Sequence, residues 1–417
     1  MSLSDFLKER QAELKEKKPS SLVIGNPAGD ADSILSALCW SFVASTAVPI
    51  DGEKTLTTPI LSISRHDLQS QRPETTTLLQ WANIDVESLV DVEDVTRNDS
   101  SRFSAVPVTL VDHNQLDSAF SSLDWTVAAI LDHHYDQGAH TDTCTLRDIA
   151  FANDHATVAS TTTLVAERWL EALGSSSSKS SLPSDVAILL LGTILLDSVN
   201  MQPSAGKGTP RDQAMLDALL DRTDWHDGKL TIPDSDENLW DNDTRRPVPD
   251  RIFERLQEAK FDVGFWKGLS VRDALRLDYK EFTPNNNDGI APFGASTVLL
   301  DWETFQNKSD VSGGILDYMR DSNISFLAIM CTFTSGESDA LQRQLILCAK
   351  DDADLVDNVV EYLENLEADN NLKLTEQSNA RLTAEGLTLR AFDQGKVKAS
   401  RKQVAPLLIR FFETCSD

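Results

Sequence analysis

Four short stretches of this sequence carry residues that bind cations or move protons. They are Asn26-Pro-Ala-Gly-Asp30-Ala-Asp32, Asp112-His113-Asn114, Asp132-His133-His134 and the isolated Asp197. Carboxylates with few imidazoles and no cysteine suit Mg²⁺, Mn²⁺ or Co²⁺ better than a structural zinc. Four carboxylates brought together without a cation repel and raise one another's pKa values. Two divalent ions about 3.5–4 Å apart relieve that repulsion, activate a water and clamp a phosphoryl group. Each stretch also has an ordinary explanation. Helix capping accounts for one of Asp30 and Asp32 and leaves the other over. Asp132-His133-His134, read alone, is equally a satisfied polar cluster. The metal reading therefore depends on whether the chain delivers all four stretches to one place.

The flanking elements suggest that it does. Val127 to Leu131 is an apolar run that stops at Asp132, the pattern of a strand buried on both faces of a parallel sheet. Residues just past such a strand lie at the carboxyl edge, where open α/β sheets bind ligands. The pattern recurs. Ser21 to Gly25 runs into Asn26 and Asp30, Pro59 to Ile63 is a second strand, and Val106 to Val111 stops at Asp112. Helices are expected over 3–18, over 34–43 with Asp32 and Ser33 as caps, and over 73–81. A threonine and serine cluster opens another over 156–172, and Ser/Lys-rich 174–181 reads as a loop. The apolar run 185–196 is too long for a strand; it reads as a buried helix with Asp197 at its end, and Thr209-Pro210 opens the next.

Residues 222–250 are polar and hold prolines 233, 247 and 249, the composition of a linker. A smaller mixed domain then follows. It has a helix over 250–259, the segment Leu275 to Phe282, and strands near 295–300, 324–333, 343–349 and 387–392. Helices 353–367 and 400–413 complete it. The expected fold class is α/β: a doubly wound, mostly parallel sheet in residues 1–222, a linker over 223–249 and a mixed α/β domain over 250–417.

Composition narrows the partners. The 417 residues carry 66 Asp and Glu against 38 Lys and Arg, a net charge of −28. That disfavours nonspecific binding to nucleic acid or anionic membranes. It does not exclude an anionic substrate, because bound cations and a local basic cluster reverse the field in one cleft. No run of 18 apolar residues is present, and Asp5, Glu9, Glu13 and Glu16 argue against a secretory or mitochondrial presequence. Five cysteines without a CxxC pair read as reduced thiols. The expectation is a cytoplasmic protein.

The motifs Gly25-Asn-Pro-Ala-Gly-Asp30-Ala-Asp32-Ser33, Asp112-His-Asn, Asp132-His-His-Tyr-Asp136 and Leu-Leu-Asp197-Ser-Val-Asn200 occur in an order that resembles the DHH phosphoesterase superfamily. The branch resembled holds family II inorganic pyrophosphatases, prune-like proteins and eukaryotic exopolyphosphatases. Leu277-Asp-Tyr-Lys-Glu-Phe282 and Ser400-Arg-Lys-Gln403 look like the substrate-binding segments of a DHHA2-type domain.

The resemblance implies an active site in the cleft between two domains, with two divalent ions. It gives Asp30 and Asp32 one ion each, Asp112 as the bridge, and His133 and Asp197 as completing ligands. His134 faces the phosphate, and Lys280, Arg401 and Lys402 hold phosphate oxygens; Asp112, His134 and Lys402 form the catalytic set. Asp132 supports its neighbours and His113 orients Asp112. Asn26 stands where family II pyrophosphatases have a histidine, and is assigned to substrate binding. Asn26, the start Ser4-Asp-Phe-Leu-Lys and the Leu277 to Phe282 segment together point to an exopolyphosphatase. Such an enzyme would act as a monomer on linear polyphosphate. Alternatives from the same resemblance are an inorganic pyrophosphatase or a prune-like nucleotide phosphodiesterase or short-chain polyphosphatase. A non-catalytic phosphate-binding partner protein is a further one.

Overall fold

The computed structural model describes all residues except 48–55, 97–99, 154, 175–180, 285–291, 335–339, 368–369, 385 and 415–417. Most of the expected Ser/Lys-rich loop at 174–181 lies outside the described residues. The chain forms two compact units, Met1–Lys260 and Phe261–Asp417.

The first unit is built on a five-stranded parallel sheet. Its strands are β1 (Ser21–Ile24), β2 (Thr57–Ile60), β3 (Pro107–Val111), β4 (Thr126–Asp132) and β5 (Leu146–Ile149), in the order β2-β1-β3-β4-β5. The chain leaves β1 toward β2 on one side and returns to β3 on the other. The switch point therefore lies between β1 and β3. The continuous apolar runs follow from burial on both faces. Val23, Val111 and Leu131 join the core made with the large helices. Leu22, Ile24, Leu110 and Ile130 join a second core on the other face.

Helices Ala31–Thr46, Thr161–Gly174 and Ser184–Asp197 cover the first face. Ser184–Asp197 is buried at every residue but the last, as a helix apolar on all sides must be. Ile252, Phe253 and Leu256 of helix Pro249–Lys260 belong to the same core. Two expectations shift. Asp30, not Asp32, caps helix Ala31–Thr46, accepting from the Ser33 amide. The helix expected from 156 begins at Thr161, because His155–Ala156 pairs with Phe151–Ala152 and the residues between are used elsewhere.

The second unit is a six-stranded mixed sheet. In spatial order its strands are Tyr279–Phe282, Phe293–Val298, Phe326–Thr334, Leu341–Lys350, Leu387–Gln394 and Leu374–Ala384. Among the described residues, only Phe293–Val298 and Phe326–Thr334 pair in parallel. One face packs on helices Val271–Arg276 and Val311–Asp321, the other on Ala353–Glu364 and Arg401–Thr414. The segment Leu275 to Phe282 divides into a helix end and an edge strand. The edge strand Leu374–Ala384 and helix Val311–Asp321 were not anticipated. Among the described residues no helix is long and apolar enough to cross a membrane.

Candidate metal centre

Adjacent strands of a sheet lie about 4.8 Å apart, so the ends of β1, β3 and β4 come together across some 110 residues of sequence. Each end is shaped differently. β3 stops because Asp112 is left-handed, at φ 62°. Aspartate tolerates that region better than most residues, yet strain of this kind gathers at functional sites. The Asp112 carboxylate is almost wholly buried. Its Oδ2 accepts from Ser33 Oγ and Asn26 Nδ2, each at 2.6 Å. Its Oδ1 has no hydrogen-bond partner among the described residues. It lies 3.3 Å from His133 Nε2 and 3.6 Å from His134 Nδ1. Asp112, His133 and His134 thus bring three potential ligand atoms within 4.8 Å of one another.

His133 is oriented for ligation. Its Nδ1 lies 3.2 Å from the Val158 carbonyl. A carbonyl only accepts, so Nδ1 carries the proton and Nε2 faces Asp112 and Asp32 (3.7 Å). Burial lowers its pKa, but the close approach of Nε2 to the Asp112 carboxylate and the charges of Asp32 and Asp112 outweigh it and push it up to about 10. Asp132 is fully buried and accepts from both the His133 and His134 amides, from His134 Nδ1 at 2.9 Å and from Asn114 Nδ2 at 2.6 Å. It therefore fixes the turn after β4. With Nδ1 occupied, His134 has Nε2 available on a half-exposed ring. His113 turns elsewhere: its Nδ1 lies 2.9 Å from the Val111 carbonyl, not against the Asp112 carboxylate.

Two more carboxylates reach this edge from helices. Asp32 sits in the first turn of Ala31–Thr46 and accepts four hydrogen bonds. These come from Ser160 Oγ (2.6 Å), Thr161 N (2.7 Å), Thr162 N (3.0 Å) and Ser36 Oγ (3.2 Å). Burial, then the charges of Asp112 and Asp197, still raise its pKa well above the usual range. Asp197 is the last residue of Ser184–Asp197, where the helix dipole disfavours a carboxylate. Burial and the charge of Asp30 push it up to about 7. Its Oδ2 is buried without a partner among the described residues. The chain then makes three consecutive left-handed residues, Val199, Asn200 and Met201. Asp30 is exposed and close enough to raise both Asp32 and Asp197.

Two orphaned buried carboxylate oxygens beside an imidazole nitrogen, among acids that raise one another, are the donor set a divalent cation satisfies. The residues fit such a group.

The DHHA2 domain family matches residues 254–411. The chain is 28% identical over 406 residues to exopolyphosphatase PRUNE1 of Homo sapiens, covering 97% of this chain and 78% of that protein. The Mus musculus protein of the same name is 26% identical over the same length. Together these likenesses support a phosphoesterase of the DHH superfamily. A putative family II inorganic pyrophosphatase of Methanococcus jannaschii shares the fold. Its TM-score is 0.54 at 19% identity, with 94% of this chain and 99% of that one covered.

Sequence reasoning overlooked Ser33, Ser160, Thr161 and Thr162 as partners of the acids. They look like ordinary helix-start residues, and only their donors' targets distinguish them. Asn26, expected at the substrate, has both side-chain atoms engaged. Its Nδ2 holds the Asp112 carboxylate and its Oδ1 accepts from the Ala28 amide. Asn26→Ala removes a short bond to Asp112 and should weaken apparent Mn²⁺ affinity about tenfold, with little change in thermal stability. Titration of activity against Mn²⁺ checks this; an unchanged midpoint removes Asn26 from the centre.

The DHHA2 unit carries the remaining residues of the expected set. Lys280 and Lys402 are exposed. Arg401 donates to the carbonyl and the carboxylate of Asp278, both at 2.6 Å, so its guanidinium is engaged within its own unit.

Proposed function

We propose that this chain is a metal-dependent exopolyphosphatase that releases terminal orthophosphate from linear inorganic polyphosphate. The observation that carries the reading is the Asp112 carboxylate. It is buried at the switch point of a parallel sheet and anchored on one oxygen, and its other oxygen lies unsatisfied between two imidazoles. Similarity to exopolyphosphatase PRUNE1 along nearly the whole chain supports the substrate class.

In this reading Asp30, Asp32, Asp112, His133 and Asp197 would hold two divalent ions, Mn²⁺, Mg²⁺ or Co²⁺. When bound, such ions acidify a water and draw charge from the phosphoryl oxygens. The residues of the chain do the rest. Val158 keeps His133 in the tautomer that presents Nε2. Asp132 holds His134 by Nδ1, which leaves Nε2 to meet a phosphate oxygen as negative charge develops. Lys280, Arg401 and Lys402 are assigned to the phosphates of the chain being shortened; Arg401 must exchange Asp278 for phosphate, a trade its planar donors suit. The protein is proposed to work as a cytoplasmic monomer.

A second reading, hydrolysis of pyrophosphate, is favoured by the fold shared with a putative family II pyrophosphatase. Against it, residue 26 offers an amide already spent on Asp112 instead of an imidazole. Phosphate release from pyrophosphate, tripolyphosphate, long polyphosphate and a cyclic nucleotide, each with the three metals, separates them. The expected order puts tripolyphosphate or longer chains first. Fastest release from pyrophosphate reverses the ranking, and no metal-dependent release from any phosphoanhydride overturns both.

A further inference from the structure

One loop behind the metal centre touches three of its acidic and imidazole groups, and a carboxylate outside the centre holds that loop. The loop runs from Thr157 to Thr163. Its Val158 carbonyl receives His133 Nδ1. Its Ser160 hydroxyl and its Thr161 and Thr162 amides all donate to Asp32. The Ser160 hydroxyl is also within hydrogen-bond reach of Asp197. Ser160 is completely buried, and its Oγ lies 2.6 Å from Thr162 Oγ1, so its position leaves little freedom.

The anchor is Asp212, in the first turn of helix Pro210–Arg222. Asp212 is fully buried. Both of its oxygens accept from the Ala159 amide at 3.0 Å, and Oδ1 also accepts from Thr163 Oγ1 at 2.6 Å. Arg211, its neighbour, reaches Thr157 Oγ1 at 3.1 Å and pairs with Glu167 of the helix that follows the loop. A helix cap needs only the bond that Asp212 accepts from the Thr209 amide. The bonds to Ala159 and Thr163 are surplus to capping, and both go to the loop that carries the donors of Asp32.

We propose that Asp212 is a positioning residue, which clamps the 157–163 loop so that Asp32, His133 and Asp197 are held in cation-binding geometry. The proposal rests on the metal-dependent reading of the site. Asp212 touches none of the three groups. It acts through Val158, Ser160, Thr161 and Thr162, as outer partners of metal ligands commonly do.

The test is a calorimetric Mn²⁺ titration of the full chain, with thermal unfolding in EDTA as the control. Asp212→Asn keeps the shape but cannot accept through both atoms. Thr163→Val breaks only the loop's side-chain bond to Asp212 and spares the cap. Positioning predicts a Kd for Mn²⁺ about tenfold or more weaker for Asp212→Asn, and several-fold weaker for Thr163→Val, at a temperature where both are folded. A purely structural Asp212 lowers the unfolding temperature in EDTA and leaves the Kd of the folded protein within twofold. That result overturns the proposal. Should Asp212→Asn not fold, Thr163→Val decides by the same criterion. An unaltered chain that fails to bind Mn²⁺ sinks the metal reading itself and this proposal with it.

Discussion

Asp112→Asn should lower polyphosphate hydrolysis on the order of 10³-fold, about 4 kcal/mol of transition-state stabilisation. Asparagine has nearly the same volume and also tolerates the left-handed conformation that residue 112 adopts. The substitution therefore removes charge without adding backbone strain. What it loses is specific. The Oδ2 position receives two short donated bonds, and the Oδ1 position faces two imidazole nitrogens. An amide supplies one acceptor for those sites, and its NH₂ opposes the donors on the other side. A neutral group in place of a proposed ligand would also weaken cation binding. Phosphate release and Mn²⁺ affinity should fall together while circular dichroism stays native. Activity within fivefold of the unaltered chain would remove Asp112 from the catalytic centre.

Gly25→Ala should be strongly damaging to the first unit. A Cβ at position 25 meets the Ser33 carbonyl oxygen at 2.6 Å and Ser33 Cβ at 2.7 Å. Those are parts of the main chain and its first side-chain atom, so no rotamer change relieves the clash. β1 and the first turn of helix Ala31–Thr46 must move apart. That turn carries Asp30, Asp32 and Ser33, and Ser33 is one of the two anchors of Asp112. Overpacking of this kind costs about 3 kcal/mol, which lowers the unfolding temperature by roughly 10 °C and pulls the acids out of register. Differential scanning fluorimetry and activity measured well below the transition distinguish the two consequences. A fully stable, fully active Gly25→Ala chain would mean that the contact between strand and helix is looser than described.

Much of this was legible without coordinates. Runs such as Val127 to Leu131 are buried on two faces, and a two-faced strand has no polar alternation to hide its boundaries. The residue that stops the run, Asp112 or Asp132, is then conspicuous. Helix Ser184–Asp197 was legible for the same reason, since its apolar surface extends right round. The polar edge strand Leu374–Ala384 was not, because an edge strand's pairing is dictated by its neighbour, Leu387–Gln394, and not by its own side chains. Asp30 and Asp32 were both singled out, yet which of them caps the helix required the position of the Ser33 amide.

The sequence by itself determined the cast: which acids and imidazoles stand at element ends, the parallel sheet that collects them, and the resemblance to the DHH superfamily. It did so because periodicity, strand ends and motif order are properties of neighbours along the chain. Only the tertiary structure decided how those residues are held. Asn26 spends its amide on Asp112, Asp132 fixes His134, and the 157–163 loop cradles Asp32 while Asp212 grips it from behind. These are bonds between groups as many as 130 residues apart. Their partners are chosen by the packing of whole helices on a sheet, and no local pattern encodes that choice.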